Sequence, residues 1–142
     1  MFNPKDYLES KLLKAGTYIL SPVEYRYQTK ADGSVGLMVE FAVEGQDARV
    51  ISFWFPENDL AIRMAANLAR LVDPRLLEKS YPTPLEFFEE VTKAAQGKRI
   101  TALVAVSKRP DGSLVNRVRS FIKVESGPFE SGKERQYDEV PF

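Results

Sequence analysis

The chain has 142 residues, 44% of them hydrophobic and 28% charged, which is ordinary globular composition and enough for one domain with a substantial core. Twenty basic and twenty acidic side chains leave no formal net charge, and neither cysteine nor histidine occurs. A disulfide framework, a thiolate metal site and a cysteine nucleophile are excluded, and with histidine goes the commonest general base and transition-metal ligand. The expectation is a protein that is not an enzyme and holds no cofactor or metal. No apolar run approaches the roughly 18 residues of a membrane span, and the charges of MFNPKDYLESKLLKAG interleave with its apolar residues, unlike a signal-peptide core. A cytoplasmic location without membrane contact is expected.

Residues 1–14 read as an N-terminal segment with a candidate short helix. Residues 17–29, TYILSPVEYRYQT, are rich in β-formers, and Ser21-Pro22 should place a bulge or an edge there, because proline cannot donate to a ladder. Ala31-Asp32-Gly33-Ser34 supplies a hairpin turn. Val35, Leu37, Val39, Phe41 and Val43 then alternate without a break, the pattern of a strand with one buried face. Glu44-Gly45-Gln46-Asp47 turns the chain again. In ARVISFWF, Ile51, Phe53 and Phe55 share one face while Val50, Ser52 and Trp54 share the other.

Helical signals follow. Asn58 or Asp59 can cap a helix over DLAIRMAANLARLV, with Leu60, Met64, Leu68 and Leu71 as its stripe and Asp73-Pro74 as its stop. Thr83-Pro84-Leu85-Glu86 is a capping box with proline at the first helical position, opening a second helix with Leu85, Phe88 and Val91 inward and Gly97 at its end. Ile100, Ala102, Val104 and Val106 restore strand alternation up to the turn Pro110-Asp111-Gly112-Ser113, and residues 115–124 pair back. Beyond Val124, ESGPFESGKERQ has no apolar period and reads as a linker.

Three strands, helices, then two strands define a mainly β fold. Its plan matches an OB-like five-stranded antiparallel barrel over residues 15–124, with a helical insertion between strands 3 and 4 and a disordered tail over 125–142.

The charges are unevenly placed. Residues 98–123 hold Lys98, Arg99, Lys108, Arg109, Arg117, Arg119 and Lys123 against Asp111 alone, a net of +6, whereas 125–142 carry a net of −3. A local positive patch points to a polyanion, and a solvated basic hairpin is the bland alternative. In NRVRSFIKV, strict alternation puts Arg117, Arg119, Phe121 and Lys123 on one face and Val118, Ser120, Ile122 and Val124 on the other. Cations flanking an exposed ring suit a single strand: they neutralise phosphates while the ring stacks on a base. Phe121 against a helix, with the arginines at the rim, is the structural alternative. Trp54 can stack on a base or be buried against a helix. Arg26, between Tyr25 and Tyr27, joins the candidates, as do Lys98, Lys108 and Arg109. Glu40 and Glu44, on the non-core face of the second strand, argue against a uniformly positive groove. Glu86 and Glu90, one turn apart beside Glu89, offer a carboxylate-metal nuclease, but the helix dipole already accounts for Glu86. No phosphate-binding Gly-x-x-x-x-Gly-Lys loop is present.

With these residues in view, the body over about 15–124 resembles the OB-fold single-stranded-DNA-binding proteins of bacteriophages. The run Asp138-Glu139-Val140-Pro141-Phe142 resembles the tip of bacterial single-stranded-DNA-binding proteins. The resemblance implies sequence-tolerant binding of single-stranded DNA, with the tip recruiting replication, recombination or repair proteins, in the host cytoplasm if the protein is phage-encoded. Phe142 would enter an apolar pocket, its carboxylate would pair with a partner base, and Asp138 and Glu139 would meet a basic rim. A β-barrel adaptor whose partner is another protein is the alternative from a different class.

Overall fold

The computed structural model describes residues 12–130. Five strands form one antiparallel sheet: β1 Gly16–Thr29, β2 Val35–Val43, β3 Arg49–Trp54, β4 Arg99–Lys108 and β5 Leu114–Glu125. Two helices, α1 Asp59–Val72 and α2 Pro84–Ala95, lie between β3 and β4 and are joined through a 3-10 turn at Pro74–Leu77. The sheet order is β3-β2-β1-β4-β5. Because every neighbouring pair is antiparallel, the edge strands β3 and β5 run in the same direction. They approach within 8 Å (Cα–Cα), but no ladder joins them, so the sheet is open and the expected barrel is not closed by hydrogen bonds.

Two of the three hairpins among the described residues, β1–β2 and β4–β5, use one turn chemistry. Asp32 and Asp111 each accept from the amide and the hydroxyl of the serine two residues on, Ser34 and Ser113, at 2.6–2.9 Å. The intervening Gly33 and Gly112 have φ of +89° and +91°, the left-handed geometry that glycine tolerates without a Cβ clash. The register of β1 shifts between Pro22 and Glu24, the bulge expected from Ser21-Pro22.

The core lies between the sheet and the helices. Leu20, Leu37, Val39, Phe41, Val50, Ile100 and Val104 are fully buried and meet Ala61, Ala65, Leu68, Phe88 and Val91. Asn58 caps α1, accepting from the amides of Leu60 and Ala61, and Thr83 caps α2 through the amide of Glu86. The inward stripe of α1 differs from the one expected. Ala61, Ala65, Leu68 and Ala69 face the core, while Leu60 is 67% exposed. Small residues let this helix sit close to the sheet, which turns its larger side chains to the flank. Both faces of β2 are also more covered than alternation predicts, since Met38 and Ala42 are buried along with the core set. Residues 126–130 lie against the sheet end: Arg99 donates to the Ser126 carbonyl at 2.6 Å, and the Gly45 amide donates to that of Glu130.

The serine hydrogen bonds hold the Asp32 and Asp111 carboxyls below the usual aspartate range. A depressed folded-state value means that the ionised turn is favoured above the ordinary aspartate value. That favour is lost as pH falls through the depressed one. Carboxyl NMR titration should therefore show both aspartates ionising below an ordinary aspartate, with the Ser34 and Ser113 amide signals moving in step. Titration of either at the ordinary value would contradict the shared turn.

Candidate functional site

The cations of β5 owe their placement to two irregularities in that strand. Val118 pairs with Val104 and Phe121 with Ala102, both facing the core. Between them the register slips by one residue at Arg119, and just beyond Phe121 it slips again at Ile122. With strict alternation, Arg119 and Lys123 would share the face of Phe121. The two bulges release them: Phe121 is 3% exposed, its ring 5.7 Å from that of Phe41, while Arg119 and Lys123 point to solvent. The expectation of an exposed Phe121 among cations is thus corrected. Its ring belongs to the core, and Ile122 is the exposed apolar residue of that stretch.

Trp54 is likewise buried, 3% exposed and 5.7 Å from Phe88 of α2 (ring centroids), so its structural reading holds, although it also borders the groove at the open seam. The opposite face of β3 supplies accessible apolar groups instead, with Phe53 47% and Ile51 37% exposed. Phe55, expected beside them, folds back over Gly36, where an added Cβ would come within 2.5 Å of its ring, and Lys30 sits 4.0 Å above it.

These residues border a groove of about 540 Å³ at the open seam. Its β3 wall carries Ile51, Ser52, Phe53 and the buried Trp54, its β5 wall Arg117 and Arg119, and the first turns of α1 add Leu60 and Met64. Among the described residues, no carboxylate lines it. Among the described residues, neither arginine has an ion-pair partner. Two guanidinium groups with no ion-pair partner among the described residues thus lie across the seam from an exposed aromatic ring.

The other candidates scatter. Arg26 is exposed on β1 in register with Met38 and, one strand further, Phe53, so it shares the outer face that leads into the groove. Lys108 and Arg109 stand at the β4–β5 hairpin tip, beyond Ser107 at the groove's end. Lys98 precedes β4 at its opposite end, roughly 30 Å from Lys108 by strand rise. Lys123 pairs with Glu125 at 3.2 Å. The Glu125 carboxyl is held below its usual range, first by the Thr101 hydroxyl and then by Lys123.

The acids set against a positive groove are also placed. Glu44 is bound by Arg99 at 3.0 Å, and Glu40 lies directly opposite Glu24 on the outer face of β1–β2, outside the groove lining. The α2 carboxylates go to separate partners. Glu89 accepts from Tyr27 at 2.8 Å and Glu90 from Tyr81 at 3.3 Å, and among the described residues no cluster of three metal-ligating groups forms. No described helix is long and apolar enough to cross a membrane. Asp138, Glu139, Val140, Pro141 and Phe142 lie outside the described residues.

No protein-family model matches the chain, and no curated protein matches it. The site therefore rests on its own geometry.

Phe53 escaped the sequence because alternation separates the faces of β3 without saying which is inward when both carry apolar residues, and Leu60 because its spacing sets it in the expected inward stripe of α1. The burial assignments are testable by denaturant unfolding. Trp54→Ala or Phe121→Ala should cost about 3–5 kcal/mol of stability, as large core truncations do, whereas Phe53→Ala should cost less than about 1.5 kcal/mol, in the range of surface changes. An equal loss at Phe53 would overturn the assignment of faces.

Proposed function

We propose that the protein binds single-stranded DNA, in replication, recombination or repair, through the seam groove, and performs no chemistry. In this reading the fold is an OB-like barrel left open between β3 and β5. The parallel approach of those strands without a ladder supports that description. The observation that carries the function is the groove's lining: Arg117 and Arg119 on one wall, Phe53 on the other, and no acid between them among the described residues. The guanidinium groups take successive phosphates while Phe53 stacks on a base. Arg26 and the Lys108-Arg109 tip extend the positive track at either side.

A narrow seam favours a single strand. In a duplex the base faces are stacked on one another, so a ring at the groove wall has nothing to stack against. Neither phosphate contacts nor stacking carries a base code, so binding tolerates changes of sequence. DNA over RNA rests on the resemblance. So does the partner role of Asp138–Phe142, which supplies an apolar anchor at Phe142 preceded by two acids for a basic rim.

Fluorescence anisotropy with labelled oligo-dT, against a duplex of equal length, tests the reading. Oligo-dT should bind more tightly than the duplex and weaken with salt. Replacing Arg117 and Arg119 together by alanine should flatten the slope of log K against log salt by about 1.4, or about 0.7 per lost phosphate contact. Phe53→Ala should cost about 1–3 kcal/mol of binding without changing that slope. Binding to neither oligomer would sink the proposal. Salt-insensitive binding to a protein alone would favour the adaptor.

A further inference from the structure

The bulges of β5 leave a strand edge that could slide or zip onto β3, and one side chain holds it. Asn67, on α1, donates its Nδ2 to the main-chain carbonyl of Phe121 at 2.8 Å, across 54 residues of sequence. Its Oδ1 accepts from Arg70 at 2.8 Å, which fixes the amide's orientation. The bond falls on the short Ser120-Phe121 segment between the two bulges, where the regular β4–β5 register is interrupted on both sides. Phe121 is anchored from below by Phe41 and from its edge by Asn67.

We propose that Asn67 is a positioning residue for DNA binding. It supplies the hydrogen bond that a β3 ladder would otherwise give to β5, so the seam stays open and Arg119 is held in the groove. The inference rests on the functional reading above, and it concerns a side chain outside the groove lining. The role follows from edge-strand physics. A carbonyl on an unpaired edge seeks a donor, and without Asn67 the Phe121 carbonyl is left to water or to another main-chain donor. Either outcome lets the bulge at Arg119 relax. The guanidinium then loses its fixed place opposite Phe53, and its phosphate contact is lost with it.

Two variants separate positioning from simple stability. Asn67→Ala removes both bonds. Asn67→Asp keeps shape and the acceptor for Arg70 but cannot donate to Phe121. Oligo-dT anisotropy over a salt series, with thermal unfolding as the folding control, reads them. Both variants should stay folded at the assay temperature, bind roughly two- to tenfold more weakly, and lose about 0.7 of the salt slope, one phosphate contact. In an Arg119→Ala background Asn67→Ala should have no further effect on affinity, because the contact that Asn67 positions is already gone. If wild type binds but the Asn67 variants keep its salt slope, or the loss in Asn67→Ala simply adds to that of Arg119→Ala, the positioning role is overturned while the groove stands. If the wild-type chain does not bind oligo-dT, the functional reading falls and this role with it.

Discussion

A single ring governs the last strand. Phe121 has to sit in the core on Phe41, yet its neighbours two residues away on either side are Arg119 and Lys123. A regular strand would carry all three to the same face and bury two charges at a cost of several kcal/mol each. Two single-residue slips in the β4–β5 register resolve the conflict, leaving the ring inside and the cations outside. The same slips lie on the strand that meets β3 without a ladder, and the groove lies at that open seam. Core packing and site geometry are thus one constraint.

Open edges invite unwanted pairing, and here both edges of the sheet face each other across a space that α1 partly fills. Asn67 covers the β5 edge at Phe121, and Leu60 and Met64 line the groove further along. The alanine-rich inner face of α1 permits this close seat. Charge is segregated to match. The carboxylates Glu24 and Glu40 share the outer face of β1–β2, Glu44 is taken by Arg99, and the seam keeps its two arginines unpaired among the described residues.

Much of the architecture was legible because local chemistry decided it. The Asp-Gly-Ser turns, the Thr83 and Asn58 caps, the Ser21-Pro22 bulge and the helices between the third and fourth strands all follow from short-range signals. What escaped depends on non-local contacts. Period two predicted a common face for Arg119 and Phe121, but a bulge leaves no mark in the sequence when the residues around it alternate plausibly. For β3, apolar residues on both faces left inside and outside undetermined until α2 brought Phe88 against Trp54. For α1, Leu68 faces the core as its spacing predicted, but Leu60 looked inward too, and only the close approach to the sheet selects the alanines beside Leu68. The cluster of positive charge was readable, but its division was not. Arg117 and Arg119 reach the groove, while Lys98 and Lys123 lie toward the far end of the same two strands.

The most direct test of the central claim is amide chemical-shift mapping of the full chain during titration with oligo-dT. The account predicts that the largest shifts fall on residues 51–53, the first turns of α1 and residues 117–119, with weaker ones at Arg26 and the Lys108-Arg109 tip. Shifts centred on the outer face around Glu24 and Glu40, or on the Lys98 and Lys123 end, would contradict it.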